Sequence, residues 1–215
     1  MNHQKPKFSL VPYDKRADNV FPSAILTLVS IIQGVAFYVL MDNTSKIINN
    51  SSINFEILIR ILLSLFSLII VAFEYIWFVG LFTGTISIID VSVVFALGVG
   101  EVAYSNYLNS SFMWWTSNGI FLIIGVIGFW NSIIKSKNIN YVDEGVELIL
   151  LNTLRRNRLI CLICSAISIT ISLLVYYCRS VFACELIGFA SIWLLYSYLV
   201  FMDHKFLSKI RIICS

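Results

Sequence analysis

Ionisable side chains inside long apolar segments are the residues in this sequence with the clearest capacity for chemistry. One apolar segment, residues 55–80, carries polar or charged groups at spacings of four, four, three and seven: Glu56, Arg60, Ser64, Ser67 and Glu74. In an α-helix these spacings place all five side chains on one stripe. A charge in lipid costs several kcal/mol unless it is paired or hydrated, so such a stripe indicates an ion pair, a substrate path or a proton relay.

The next apolar segment, residues 86–108, carries Asp90 and Glu101, which are eleven residues apart and therefore share a helical face. At a rise of 1.5 Å per residue, Arg60 and Glu101 lie ~8 Å and ~10 Å inside the same edge of the membrane. We therefore predict an Arg60–Glu101 pair with Glu56 above it. Gln33 lies near the middle of the first apolar segment and is a further polar group at membrane depth.

Glu74 and Asp90 lie toward the opposite edge, and the sequence places no intramembrane cation at their depth. The pattern predicts two acids that face a shared vestibule. Two interpretations stay open. Glu74, Asp90 and Glu101 line a water-filled path or a proton-coupled site, or they form a structural salt bridge and two interfacial acids that reach the headgroups.

The elements that must position these groups are membrane-spanning helices. The chain is 59% hydrophobic and 13% charged, whereas a soluble domain carries about a quarter charged residues. About 20 apolar residues cross the ~30 Å hydrocarbon core as a helix. Six segments reach that length, which predicts an all-α, polytopic bundle in a lipid bilayer: 22–41, 55–80, 86–108, 112–134, 159–178 and 181–202.

The distribution of Lys and Arg predicts the orientation and the division of the chain. Basic residues concentrate in the tail 1–21, the segment 135–158 and the tail 203–215. Because positive residues stay on the cytoplasmic side, both termini are predicted there, with four spans in 22–134 and a hairpin of spans in 159–202. Trp114 and Trp115 then fall at the outer interface as part of an aromatic belt. A composition rich in Ile, Asn, Ser and Lys is typical of a bacterial gene, which predicts a multi-pass protein of the inner membrane.

The segment 135–158 has the pattern of an amphipathic helix near 142–157, either separate from the fifth span or continuous with it. Val142, Val146, Ile149 and Thr153 recur at helical spacing, and the charges run from acidic to basic, as a helix dipole favours. The helix either lies in the membrane interface or docks a cytosolic partner. The basic residues predicted to contact a partner or the membrane surface are Arg155, Arg156, Arg158, Lys205, Lys209 and Arg211.

Small and polar residues line other spans in patterns that favour close helix packing. Ser165, Ser168 and Ser172 mark one face of the fifth span, and Gly98 allows a backbone to approach the third. Cys161 and Cys164 form a C-x-x-C at the predicted cytoplasmic end of a helix, where an apolar packing role is favoured over redox chemistry. A Cys178–Cys184 disulfide is an open alternative in an oxidising compartment.

Motifs for catalysis, metal binding or phosphate binding are not found. The only histidines, His3 and His204, are in the tails, so the sequence contains neither a metal cluster nor a Ser–His pair. No cofactor, no metal and no direct nucleic-acid partner is expected. The sequence therefore indicates a membrane protein that is not an enzyme.

Two runs resemble those of a known group of proteins. These are Ser23 to Met41, with Gln33-Gly34 at its centre, and the pattern D…F-x-L-G-x-x-E formed by Asp90, Phe95, Leu97, Gly98 and Glu101. The second resembles small bacterial multi-pass proteins, among them the membrane components encoded beside cytosolic effectors in antiphage operons such as the Kiwa system. The resemblance covers about two of the six spans. It implies a homo-oligomeric membrane sensor or scaffold that binds a cytosolic effector.

Two functional hypotheses follow. The first is a non-enzymatic inner-membrane sensor or scaffold, oligomeric, that couples a membrane event to a cytosolic effector in antiviral defence. The alternative is a small ion channel or proton-coupled transporter that uses the acids of the second and third spans. The absence of a clear inverted repeat weakens the transporter version.

Overall fold

The computed structural model describes residues 16–50, 54–81, 88–138, 144–177 and 181–214. All six helices in these ranges are long and apolar enough to cross a membrane, and their length and composition make the chain a multi-pass membrane protein, as predicted. The helices are α1 (Arg16–Asn49), α2 (Phe55–Leu81), α3 (Ile88–Asn106), α4 (Ser111–Asn138), α5 (Glu144–Tyr177) and α6 (Val181–Cys214).

Successive helices run in opposite directions. The start of α2 contacts the turn between α3 and α4 and the start of α6, where Arg60 meets Leu108 and Glu185. At the other end of the bundle, Arg156 of α5 pairs with Asp203 near the end of α6. We call the first the far end and the second, which also carries Lys135, the basic end. The beginning of α1 and the end of α6 both lie at the basic end, which the distribution of charge predicts to be cytoplasmic.

Side chains next to the helix starts explain where two of the helices begin. Asn54 caps α2, because its side-chain oxygen accepts a hydrogen bond of 2.8 Å from the backbone N–H of Ile57. Ser110 does the same for α4, accepting from the N–H of Met113 at 3.4 Å. The turn between α3 and α4 is closed by a hydrogen bond of 2.9 Å from Ser110 N–H to the carbonyl of Tyr107. These short connections hold the far end of the bundle together.

Three helices extend further than hydropathy predicted. α1 continues to Asn49 through much of the predicted loop 42–54, and the exposed Lys46–Asp42 pair, 2.5 Å apart, lies along this extension. α6 continues to Cys214 through the predicted basic tail. α5 is one helix from Glu144, so the predicted amphipathic segment is continuous with the fifth span. Hydropathy detects only the apolar part of a helix, whereas the helix itself continues until its backbone hydrogen bonding stops.

The extended ends of α4, α5 and α6 pack on each other at the basic end. Their apolar side chains form a small core, separate from the main one, and we call this part the basic foot: Ile133, Leu150, Leu151, Leu154 and Phe206. The side chains that this segment contributes to the foot, Leu150, Leu151 and Leu154, therefore face protein. The prediction that this segment lies flat in the membrane interface is wrong, because neighbouring helices cover the apolar face that lipid was expected to cover.

Large aromatic side chains fill the main core near the far end. Trp114, Trp115 and Tyr104 are fully buried, and Trp114 meets the other two rings edge-on. The prediction that Trp114 and Trp115 belong to an interfacial belt is therefore wrong. Their position in the sequence gives the correct depth, but the helix rotation turns them toward the interior.

The α4–α5 contact is built from small and polar residues, as predicted for the fifth span. Ser165 donates to the carbonyl of Gly119 at 3.0 Å, and Ser168 accepts from the Asn118 amide at 3.0 Å. Ser172 lies 2.6 Å from the hydroxyl of Thr116. These bonds let two backbones approach closely without leaving a polar group unsatisfied in lipid.

Candidate functional site

The far end contains a buried arginine with two acidic partners. The Arg60 guanidinium lies 2.8 Å from Glu185 and 3.4 Å from Glu56, and it donates to the Leu108 carbonyl at 2.6 Å. Arg60 is 2% exposed and Glu185 is fully buried. Ser111 donates a further hydrogen bond to Glu185. The network joins α2, α6 and the α3–α4 turn.

The predicted Arg60–Glu101 pair is wrong, although the predicted Glu56 contact is present. Glu101 is fully buried and accepts two hydrogen bonds of 2.8 Å from the Gln33 amide. The reason is helix rotation. The face of α3 that holds Gly98 and Glu101 packs on α1, where Gly98 lies against Ile32. Equal depth is necessary for an ion pair, but the two side chains must also face each other.

The polar stripe predicted on α2 is present. Arg60, Ser64 and Ser67 follow one another along the inward face of α2, and all three are buried. Ser64 accepts a hydrogen bond of 3.1 Å from the Trp114 indole, which supports the tightly packed aromatic core. Glu74 continues the stripe at the basic end and is partly buried. The stripe thus connects the far-end network with the acids of the basic end.

Asp90 forms an ion pair with Lys135 and accepts a hydrogen bond of 2.7 Å from the Asn131 amide. The expectation that no cation lies at the depth of Asp90 is therefore wrong. α4 continues without a break to Asn138, so Lys135 lies beside the first turn of α3. Asp90 is buried, while the Lys135 side chain is 24% exposed and reaches the surface.

Glu74 belongs to a second cluster, which includes another acid and residues of α5. Asp203 of α6 pairs with Arg156 and accepts hydrogen bonds of 3.1 and 3.3 Å from the Asn157 amide. The same amide lies 3.5 Å from Glu74. The Glu74 and Asp203 carboxyls therefore converge on one side-chain nitrogen, that of Asn157. Two neighbouring carboxylates repel each other, and a proton on one of them relieves the repulsion.

The described residues of this cluster include one ion pair. Arg156 pairs with Asp203 and donates to the Asn157 side-chain oxygen at 2.9 Å. Two acids against one guanidinium leave one negative charge to be neutralised, and a proton is the simplest charge that can do so.

A cavity of about 120 Å³ lies between the two clusters. It extends from Ser67, near mid-membrane, to Glu74 and Asp90 at the basic end. The predicted vestibule shared by these two acids is therefore present, although Glu101 is not among its lining residues. Most of the wall is apolar, formed by Ile70, Val71, Val93, Val94, Leu97, Phe121, Leu122, Phe129, Leu154 and Leu199.

One lining side chain carries an unsatisfied polar group. The Tyr75 hydroxyl is buried and has no hydrogen-bond partner among the described residues. Buried hydroxyls are normally hydrogen-bonded, and the exceptions call for an explanation such as a ligand or an ion. The wall also includes Cys161, a buried free thiol, and Tyr196.

The basic residues predicted to form a contact surface separate into different environments. Arg155 is exposed, Arg158 lies 5.0 Å from the centre of the Trp130 ring, and Lys205 lies 4.5 Å from that of Phe201. Arg156 is instead part of the acid cluster. Lys209 and Arg211 lie in α6, but their side chains are outside the described residues.

The acidic partners from α6 are the site residues that the sequence interpretation missed. Glu185 lies within the predicted span 181–202 and Asp203 begins the predicted tail 203–215, so neither is among the predicted site residues. The available signal was helical phase, because Glu185, Ile192, Tyr196, Leu199 and Asp203 lie on one face. Of the predicted alternative disulfide, Cys184 is a free thiol and Cys178 is outside the described residues.

Comparison with protein-family models, curated proteins and solved structures found no match for this chain. The class of the protein, a multi-pass membrane protein, therefore rests on its six apolar helices. Any functional statement must come from the buried charges and the cavity.

Proposed function

We propose that this chain is a proton-coupled transporter and that the Glu74–Asp203 pair carries the proton. The observation that supports the proposal is the convergence of two carboxyls, Glu74 and Asp203, on the Asn157 amide, beside one ion pair and a cavity. Ionisable residues inside a membrane are costly and are functional candidates by default. We prefer this hypothesis to the sensor or scaffold because buried acids beside a cavity are a feature that proton transfer uses directly.

The pair provides a physical means of coupling because its members come from helices that can separate. Glu74 is on α2, Asp203 on α6, and Arg156 and Asn157 on α5. With one proton bound, a carboxyl–carboxyl hydrogen bond draws α2 and α6 together. When the proton leaves, the two negative charges repel and compete for the same guanidinium. Proton binding therefore changes the force between three helices at the basic end.

A transporter fits the far end better than an open channel does. The cavity begins near Ser67, and above it the indole of Trp114 bonds to Ser64. Above these residues Arg60 is held by Glu185 and the Leu108 carbonyl. Passage of a molecule from the cavity to the far end therefore requires this far-end contact to open. Alternating access, rather than a continuous pore, follows from that arrangement.

Infrared difference spectroscopy between high and low pH tests the proton site directly, using the full chain in lipid nanodiscs. We expect a carboxyl C=O band that is altered by Glu74→Gln and by Asp203→Asn. Asp42→Asn is the matched control, because Asp42 belongs to the exposed pair on the α1 extension. A pH-dependent band that neither Glu74→Gln nor Asp203→Asn changes would contradict the proposal.

The sensor or scaffold hypothesis has one specific observation in its favour, the basic foot. α5 and α6 each have 34 residues, so each is about 51 Å long and exceeds the ~30 Å hydrocarbon core by some 20 Å. The foot is a packed surface at the basic end and carries the exposed Arg155. Co-purification with its co-expressed neighbours tests this role. A stoichiometric cytosolic protein, released by Arg155→Glu, is expected, whereas the absence of such a partner contradicts it.

A further inference from the structure

The cavity at the basic end has the composition of a binding site for a small organic cation. Its volume, about 120 Å³, is slightly below the ~150 Å³ of an engineered protein cavity that binds benzene, so it can hold about one aromatic ring. Because its wall is largely apolar, the ligand must present an apolar body. The polar groups, however, gather at one end, where Glu74, Asp90 and Asn131 lie.

The charges at that end favour a cation. Two carboxyls, those of Glu74 and Asp90, line the cavity, and no Lys or Arg is among its described lining residues. A neutral ligand would leave this excess of negative charge unchanged, and an anion would add to it. A ligand with one positive charge neutralises it, and so competes with the proton for the same site.

Aromatic groups and an unsatisfied hydroxyl specify the cation further. Tyr75, Phe121, Phe129 and Tyr196 all line the cavity, and aromatic faces attract organic cations. The Tyr75 hydroxyl is buried without a partner and has a free acceptor position. An ammonium group with N–H donors can satisfy it, whereas a quaternary ammonium cannot.

We propose that this cavity binds a primary or secondary ammonium ion attached to an apolar body about the size of one aromatic ring. The proposal rests on the proposed function, since the ammonium ion would be the substrate that exchanges with the proton. A ligand of this class fits the apolar wall, the acids at one end and the Tyr75 hydroxyl.

Equilibrium dialysis with the full chain in nanodiscs tests the proposal, with three ligands of matched size. Benzylamine, an ammonium ion at neutral pH, is expected to bind saturably and on the order of tenfold more tightly than neutral benzyl alcohol, with benzoate weakest. Empty nanodiscs correct for partition into lipid. Equal affinity for benzylamine and benzyl alcohol, or no saturable binding of benzylamine, would overturn the proposal.

Substitutions in the cavity wall test where the ligand binds. Tyr75→Phe keeps the ring and removes the hydroxyl, so benzylamine should weaken severalfold while benzyl alcohol changes less. Gly125→Ala adds a methyl group whose nearest neighbour is the Cys161 sulfur at 3.7 Å, an ordinary contact, so the variant should fold and lower the affinity for all apolar ligands. Unchanged benzylamine binding in both variants would place the ligand elsewhere.

Failure of this proposal can be distinguished from failure of the proposed function, because ligand binding is measured with no proton gradient. A pH-sensitive carboxyl band at Glu74 without benzylamine binding would reject the substrate class alone. Saturable benzylamine binding without that band would reject the proton carrier alone. Thermal unfolding of each variant, in the same nanodiscs, confirms that the folded state is retained.

Discussion

Replacing Arg60 with Met should destabilise the bundle more than any other single loss of charge at the far end. Arg60→Met keeps an unbranched apolar side chain of related length but removes the guanidinium. Glu185 then stays fully buried with no cation, and the Leu108 carbonyl loses its 2.6 Å donor. Ser111 can still donate to Glu185, but a hydroxyl does not neutralise a carboxylate.

The magnitude follows from burial. Arg60 and Glu185 side chains are 3% and 0% exposed, so neither charge is solvated by water. Breaking a buried pair by removing one partner costs about 3–5 kcal/mol, because it leaves an uncompensated buried charge. Replacing both partners with apolar residues of similar volume is often nearly neutral. Arg60→Met/Glu185→Met should therefore recover most of what Arg60→Met loses.

The measurement is reversible unfolding in mixed micelles, with increasing SDS and a folded-state signal from the buried tryptophans. Lys46→Met is the matched control, since its pair with Asp42 is exposed, and little change is expected. If Arg60→Met were no more destabilising than Lys46→Met, the assignment of a desolvated pair would be refuted. A double variant less stable than Arg60→Met would refute the explanation by uncompensated charge.

Two further predictions concern the contact between α1 and α3, with the same unfolding measurement. Gly98→Ala would place its Cβ 2.0 Å from the Ile32 Cγ2, so we expect stability to fall by about 1–3 kcal/mol. Ile32→Leu lacks that atom and should recover part of the loss. Gly34→Ala has nothing within 4 Å of its new Cβ and is the control, expected to be neutral or stabilising, so equal effects at both glycines would contradict the close contact. Gln33→Leu removes both donors to the buried Glu101 and should cost about 2–3 kcal/mol, whereas an effect near zero would show that the carboxyl is neutralised by other means.

Depth and helical face could be predicted from the sequence, because both follow from the regular geometry of a helix. The stripe from Arg60 to Glu74, and the vestibule shared by Glu74 and Asp90, are of this kind. The partner of each charge could not be predicted in the same way. Arg60 and Glu101 have the same depth, but α3 turns Glu101 toward α1, and only the packing of six helices determines that rotation.

Charged residues near predicted span ends were the second source of error. Asp203 and Arg156 fell outside the apolar windows, so they were assigned to a tail and to a surface segment. α5 and α6 continue through these positions, and the two side chains meet at the basic end of the bundle. A hydropathy window ends where polar residues begin, and these residues are the ones that form a site at a membrane boundary.

The two ends of the bundle differ in how their charges are balanced, and this difference bears on which end moves. At the far end, Arg60 is enclosed by Glu185, Glu56 and a carbonyl, so separation of the helices there exposes a charge to lipid. At the basic end, two acids, Glu74 and Asp90, line a cavity that has no Lys or Arg among its described lining residues. Under the proposed function, a proton or an ammonium ion changes the charge balance at this cavity. We infer that the resting state is closed at the far end, and that neutralising Glu74 and Asp203 is the step that alters the packing of α2 against α5 and α6.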